Sequence, residues 1–358
     1  NYRMHDKYVI VDDEMYLLGG RNSNDIFLGD YTTDINVDRD ILVWDITKGE
    51  GESLQELEAY FRQIWNEDCV QIKGGRKKNS SDISVSEEAA DDSEGAESNS
   101  KNSNIVNGIP NVENEITDET QEKLSKYEKQ YQSLEMRYAS LKEKYADIED
   151  YSSWQEDTIP VNKITLVNNG THAGPKTPLV LQTIRYLAQN AENVTIQTPY
   201  VICNGYMYDT LNEIASHAQL KIILNAVEKG SNPWGCTDYL NQKKKILNTG
   251  ADVYELMNEV PVHTKAVLLD DRLSVVGSYN LDMRSTYLDT ELMLVIDSKE
   301  LNQQIQFTEG TYIEKSKEVL SNGQETEGAQ YETKELNWQK KLFYGVLRII
   351  IRPLRQLL

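Results

Sequence analysis

A signature of six polar and small residues occurs twice in this chain, with every internal spacing kept. The first copy is His5, Lys7, Asp12, Gly19, Gly20 and Asn22, and the second is His263, Lys265, Asp270, Gly277, Ser278 and Asn280. Both read H-x-K-x4-D-x6-G-[GS]-x-N. The apolar frame repeats as well: Tyr8-Val9-Ile10-Val11 answers Ala266-Val267-Leu268-Leu269, and Leu17-Leu18 answers Val275-Val276. The chain must therefore build two units that each present the same polar groups from the same kind of strand.

On a strand, residues two apart face the same side, so His5 lies beside Lys7 and His263 beside Lys265. An imidazole and an ammonium on one strand face suit a pocket better than a core, where both would need partners. A short turn through Asp12-Asp13 or Asp270-Asp271 leads to a second strand, which ends in Gly19-Gly20-Arg21-Asn22 or Gly277-Ser278-Tyr279-Asn280. Gly20 and Ser278 are small enough to let backbone approach an anion, and Asn22 and Asn280 supply amide donors without charge. Two lysines and two asparagines around one phosphodiester would stabilise the charge that builds in its transition state. Four histidines and three scattered cysteines show no metal-ligand spacing, so no metal or cofactor is expected and an imidazole is the simplest nucleophile.

A nucleophilic imidazole needs an acceptor on its other ring nitrogen. Each repeat is followed by an acid ahead of an apolar strand: Glu291 before Leu292-Met293-Leu294-Val295-Ile296, and Asp40 before Ile41-Leu42-Val43-Trp44. On this alignment Glu291 orients His263 and Asp40 orients His5. Asp12 and Asp270 sit past the strand on a turn and read as structural, salt-bridging residues.

The paired signature resembles that of the phospholipase D superfamily, whose members carry it twice. The resemblance implies a two-lobed α/β fold, with mixed sheets flanked by helices and one active site between the lobes. It implies that one of His5 and His263 attacks phosphorus to form a phosphohistidine while the other protonates the leaving oxygen. It also carries Lys7, Asp12, Asn22, Lys265, Asp270 and Asn280 over as site residues. By the same resemblance Tyr200, in the strand-end Thr198-Pro199-Tyr200, is a candidate for lining the substrate entrance.

The alternation of apolar strands and helices from Lys163 to the second signature argues a mixed sheet covered on both faces. Residues 1–73 are read as the end of the first lobe, closed by an amphipathic helix through Leu54, Leu57, Tyr60, Phe61, Ile64 and Trp65. The upstream part of that lobe, with any membrane segment, is expected outside this sequence. Residues 74–116 are an acidic, Ser- and Asn-rich insertion with too little apolar surface to order itself. Residues 117–157 hold a long helix whose seam runs Leu124, Tyr127, Tyr131, Leu134, Tyr138, Leu141, Tyr145 and Ile148, read as packing on the first lobe. Residues 158–330 are the second lobe and 331–358 a basic tail. About half of the net charge of −21 falls in the insertion and the helix after it, and an acidic balance disfavours nucleic acid as partner.

From Trp338 onward the tail has five basic residues and no acid. Lys341, Arg348, Arg352 and Arg355 share one helical face, with apolar residues over the remainder, so an anionic membrane surface is the expected partner. With the flanking segments Phe61-Arg62-Gln63-Ile64-Trp65-Asn66 and Ser278 to Ser285, the chain is similar to bacterial cardiolipin synthases, especially their C-type branch. That similarity implies a phosphatidyltransferase at the bacterial cell membrane, attached peripherally through the tail. It would act on phosphatidylglycerol or another glycerol- or ethanolamine-bearing phospholipid. The alternatives within the superfamily are hydrolysis of phospholipids and a phosphodiesterase or nuclease.

Overall fold

The computed structural model describes residues 2–29, 32–47, 49–68, 70, 118–146, 150 and 152–355. The acidic segment 74–116, Cys69 and Ile148 lie outside the described residues. The chain divides into two compact units, Asn1–Val70 with Ile159–Leu358, and Gln71–Thr158.

Within the first unit, β1 (Tyr8–Val11), β2 (Met15–Gly19) and β3 (Asp40–Trp44) form an antiparallel sheet in the order β1-β2-β3, with α1 (Asp25–Leu28) in the loop before β3 and α2 (Glu52–Trp65) after it. Alternation on β2 buries Tyr16 and Leu18, which meet Leu54, Leu57 and Tyr60 of α2 in one apolar cluster. In the second unit, α3 (Asp118–Lys144) carries the heptad-spaced seam, and Tyr127, Tyr131, Leu134 and Tyr138 on it are exposed. The short α4 (Ser152–Glu156) follows.

The remaining elements are β4 (Lys163–Asn168), α5 (Leu179–Ala188), β5 (Asn193–Gln197), α6 (Gly205–Ala215), β6 (Gln219–Asn225), α7 (Pro233–Leu247), β7 (Asp252–Leu256), β8 (Ala266–Leu269), β9 (Leu273–Gly277), α8 (Met283–Tyr287), β10 (Leu292–Asp297), α9 (Lys299–Glu314), β11 (Ser316–Val319), β12 (Glu325–Glu327) and α10 (Trp338–Leu354). They build a nine-stranded sheet in the order β12-β11-β7-β6-β5-β8-β9-β10-β4. It is mixed, with β5–β6 and β6–β7 parallel. The central strands read as continuous apolar runs because both faces are covered, by α5, α6 and α7 on the main core and by α9 elsewhere. β11 and β12 had no alternating signal in the sequence and extend the sheet beyond the expected edge.

The signature aspartates lie in hairpin turns. Asp12 and Asp13 take φ of 51° and 53°, and Asp270 takes 51°, a left-handed conformation that short polar side chains tolerate. The salt bridge expected of Asp270 is not among those of the described residues. Its Oδ1 accepts from the backbone N–H groups of Glu192 and Asn193, both at 2.9 Å, and so pins the turn to the start of β5.

The tail departs more from expectation. α10 lies on α7, with Tyr344, Leu347 and Ile351 buried. Two of the expected membrane-facing arginines hold the helix to the protein: Arg348 Nε donates to Asn241 at 2.9 Å, and Arg355 Nε donates to Asp238 at 2.7 Å. A guanidinium forms such bonds at little cost where a carboxylate or amide faces it, so these two arginines fasten the helix beside its buried apolar residues, while Lys341 and Arg352 stay exposed and part of the apolar surface faces outward. Trp338, Leu342 and Ile349 are 72%, 61% and 71% exposed. Among the described residues no helix is long and apolar enough to cross a membrane.

Replacing Asp270 by Ala removes two backbone contacts and leaves a side chain ill-suited to positive φ, so stability should drop by about 2 kcal/mol or more. Chemical denaturation measures this, and turnover per folded molecule should stay at the wild-type value.

Candidate active site

Each histidine sits where its own strand meets a segment of the other lobe. Met4 pairs in a parallel bridge with Thr290, and Val262 pairs with Val37 in the same way. The backbone bonds match: Thr290 N–H donates to Arg3 O at 3.0 Å, and Val37 N–H donates to Pro261 O at 2.9 Å. One residue beyond each bridge, an imidazole meets a carboxylate. His5 Nδ1 lies 3.0 Å from Glu291 Oε1 and 3.1 Å from Oε2. His263 Nδ1 lies 2.6 Å from Asp38 Oδ2. A carboxylate only accepts, so we assign the Nδ1 proton to each of these bonds, which leaves Nε2 to carry the lone pair of an attacking imidazole or the proton of a proton-giving one.

The acids are therefore exchanged between the lobes, and one of them differs from expectation. Glu291 holds His5, not His263. Asp38, not Asp40, holds the other imidazole. The sheet registers explain the slip: Gly19 faces Asp40 across β2–β3, whereas Gly277 faces Met293 across β9–β10. Asp40 is thus the counterpart of Met293, and Asp38 that of Glu291. Side chains repeat every two residues along a strand, so a slip of two keeps every residue on its face and is invisible to alternation.

Asp40 serves the neighbouring loop. Its Oδ2 takes Arg21 Nε at 2.5 Å, while Arg21 Nη1 donates to Phe27 O at 2.6 Å and Nη2 to Asp38 O at 2.9 Å. The same guanidinium thereby holds the loop that carries Asp38 and the ring of Phe27, which packs edge-on against His263 with centroids 4.9 Å apart. Neither Arg21, Phe27 nor Asp38 carried a signal in the repeat.

Gly20 and Ser278 also act on the acids rather than on an anion. A Cβ at Gly20 would fall 2.5 Å from Asp38 Oδ1, so only glycine admits the carboxylate there. Ser278 is buried, and its Oγ donates to Glu291 Oε2 at 2.5 Å. Asn22 is half-buried. Asn280 is 4% exposed, and its buried side-chain oxygen has no hydrogen-bond partner in the structure. Tyr200 is half-buried at the end of β5 with its hydroxyl on Asp282, and burial first and that acid second push its hydroxyl well above the usual range.

The lysines converge with the histidines. Lys7 donates to His5 O and Lys265 to His263 O. Lys265 Nζ lies 2.5 Å from His263 Nδ1, 3.1 Å from its Nε2 and 3.8 Å from Asp38. Burial lowers Lys265 to about 8, against the pull of Asp38, with Lys7 adding to the fall. Lys7 is lowered as well, first by burial. His263 is brought down to about 4 by burial and Lys265 together, outweighing Asp38, so it is a neutral imidazole near pH 7. Asp38 stays below the usual carboxylate range because its bond to His263 and the charge of Lys265 outweigh its burial. Two further buried acids flank the group. Asp6 is raised to about 6 by burial and accepts from Tyr60 and Thr290, each at 2.8 Å. Asp282 is likewise raised to about 6 by burial and caps α8 through Ser285 N–H at 2.7 Å. The result is two imidazoles, each held through Nδ1 by a buried carboxylate, beside two lysines, which suits transfer of a phosphoryl-bearing group between oxygens.

Asp38→Asn and Glu291→Gln should each lower turnover of a small phosphodiester by about 10²-fold or more, since the amide no longer favours the imidazolium. Asp40→Asn should act mainly through the Arg21 loop and lower the melting temperature. Equal catalytic losses in Asp38→Asn and Asp40→Asn at unchanged stability would reverse the assignment of the acids.

Residues 183–308 match the family described as cardiolipin synthase, PLD-like domain. The chain is 28% identical over 169 residues to cardiolipin synthase A of Buchnera aphidicola subsp. Baizongia pistaciae, a match that covers 44% of this chain and 33% of that protein. It is 31% identical over 153 residues to cardiolipin synthase A of Escherichia coli O157:H7, covering 40% of this chain and 30% of the relative. The chain thus spans about a third of the length of these curated relatives. Among solved structures it is similar to phosphatidylserine synthase of Haemophilus influenzae, with a TM-score of 0.40 and 16% identity, covering 56% of this chain and 49% of that one. It is also similar to the phospholipase D family member Nuc of Salmonella typhimurium, with a TM-score of 0.36 and 12% identity, covering 46% and 99%. The resemblance to the phospholipase D superfamily carried by the paired signature is thus joined by a match of residues 183–308, which contain the whole of the second signature, to the PLD-like domain family.

Proposed function

We propose that this chain is a phosphatidyltransferase of the cardiolipin synthase type. The observation that carries the reading is the pair of imidazoles, each held through Nδ1 by a buried carboxylate of the other lobe and each flanked by a lysine. One imidazole Nε2 attacks the phosphorus of a phospholipid. The bond to the leaving alcohol oxygen breaks, and the second imidazolium gives that oxygen its proton. An acceptor hydroxyl then attacks the phosphohistidine, the second imidazole takes the proton, and the phosphorus–nitrogen bond breaks. Lys7, Lys265, Asn22 and Asn280 would carry the negative charge on the non-bridging oxygens. No step requires a metal or cofactor.

The substrate class follows from the similarity to cardiolipin synthases: phosphatidylglycerol, or another glycerol- or ethanolamine-bearing phospholipid, in a bacterial membrane. α10 supports a lipid surface as partner, though differently from the sequence reading. Its outward surface carries apolar residues, with Trp338, Leu342, Val346, Ile349 and Ile350 exposed. Lys340, Lys341 and Arg352 are exposed too, and the helix has no acid. An interfacial helix of this kind attaches by apolar burial, with the flanking cations adding preference for anionic lipid.

His5→Ala and His263→Ala should each nearly abolish turnover, and the double variant should lose little more, because nucleophile and acid act as a unit. Incubation with labelled phosphatidylglycerol vesicles should release glycerol and form cardiolipin. Phosphatidic acid as the only product would instead make this chain a hydrolase. Leu342→Gln with Ile349→Gln should weaken co-sedimentation with vesicles at unchanged melting temperature, and binding equal to wild type would remove α10 as the lipid contact.

A further inference from the structure

Asp238 on α7 has a side chain only 1% exposed, and the cation it meets comes from the far end of the chain. Arg355, which caps α10, gives Nε to Asp238 Oδ1 at 2.7 Å and Nη2 to Oδ2 at 3.1 Å, a bidentate pair. The same Nη2 also donates to Cys203 O at 2.5 Å. This third contact falls on a segment that runs beside the site. Ile202 forms a parallel bridge with Asp282, and its N–H donates to Leu281 O at 3.0 Å. Leu281 N–H in turn meets Thr198 Oγ1 at 3.3 Å, and Thr198 Oγ1 donates to Tyr200 O at 3.0 Å. Two residues before Asp282 is Asn280, whose carbonyl accepts from Asp282 N–H at 2.8 Å.

We propose that Arg355 is a positioning residue for the site: it ties Cys203 to α7, and so holds the 200–203 segment against Leu281 and Asp282, which set where the Asn280 amide stands. The inference rests on reading that site as phosphodiester chemistry, in which Asn280 binds a non-bridging oxygen. The guanidinium matters because it serves two acceptors at once. Its fork meets the Asp238 carboxylate while one nitrogen remains directed at the Cys203 carbonyl, which a single ammonium on a flexible stem does not reproduce. The Asn280 side-chain oxygen is buried without a partner, and its backbone N–H donates to Ser285 Oγ at 3.4 Å, so the aim of the amide depends on how this stretch of backbone is held. A displacement of about 1 Å at such a group is enough to cost on the order of 10²-fold in rate.

The test uses the full chain carrying Arg355→Lys and Arg355→Gln, with a small water-soluble phosphodiester as substrate, so that lipid binding by α10 does not enter. Lys keeps the charge beside Asp238, and its melting temperature should stay near wild type, while kcat falls by about tenfold or more at little-changed KM. Gln should show the same fall in kcat together with a lower melting temperature. Hydrogen exchange gives a readout independent of turnover: in Arg355→Lys the Ile202 amide should exchange faster, while the amides in the middle of α7 keep wild-type rates. Wild-type kcat in Arg355→Lys with unchanged exchange at Ile202 would overturn the proposal and leave Arg355 as a fastening for the tail. If Arg355→Gln does not fold, the Lys variant decides. If wild-type protein turns over neither the small diester nor phospholipid while exchange at Ile202 still responds, the proposed chemistry fails and the link from Arg355 to that segment stands.

Discussion

The hydrogen bond from each imidazole to a carboxylate of the opposite lobe is the contact on which the rest of the site depends. Asp38 and Glu291 have fully buried side chains, and a buried carboxylate is costly unless it is paired and hydrogen-bonded. Neither lobe supplies the imidazole for its own acid. Docking of the lobes and alignment of the imidazoles are therefore one event, carried by the bridges Met4–Thr290 and Val37–Val262 that set each acid opposite its histidine. A lobe alone would hold a histidine without its carboxylate and an acid without its imidazole.

Behind these bonds the two halves solve one problem with different residues. The second lobe uses the longer Glu291 and steadies it with Ser278 Oγ. The first lobe uses the shorter Asp38, and Gly20 leaves the space its carboxylate fills. Arg21, held by Asp40, then fixes the loop from which Asp38 projects. The Gly-or-Ser position of the signature is thus matched to the length of the acid beside it. The two lysines, brought close to each other and to both acids, lose part of their basicity to burial but keep carboxylates in reach, which is the field a phosphodiester dianion-like transition state requires.

The tail shows how context redirects an amphipathic pattern. The helical projection separates basic from apolar residues but does not say which side meets the protein. Asp238 and Asn241 on α7 decide it, because a buried acid and an amide give Arg355 and Arg348 partners, while Tyr344, Leu347 and Ile351 fill the contact below. Leu342, Val346, Ile349 and Ile350 are left outward, where a lipid surface can cover them.

The repeated signature was enough to establish from sequence that two like units present paired His and Lys on strand faces, because a period of two and a period of 3.6 leave distinct apolar patterns. It also identified the helices of the second lobe and the hairpin position of Asp12 and Asp270, whose short carboxylates suit left-handed turns. What it could not supply was which acid meets which histidine. A two-residue slip along β3 preserves alternation, and an exchange of partners between lobes leaves no trace in local pattern, so Asp40 and Asp38 were indistinguishable until the registers opposite Gly19 and Gly277 were seen. The roles of Arg21, Phe27 and Asp282, and the inward turn of the tail arginines, were likewise decided by tertiary structure. Each depends on a partner far away in the chain, and periodicity reports only what a segment does along its own length.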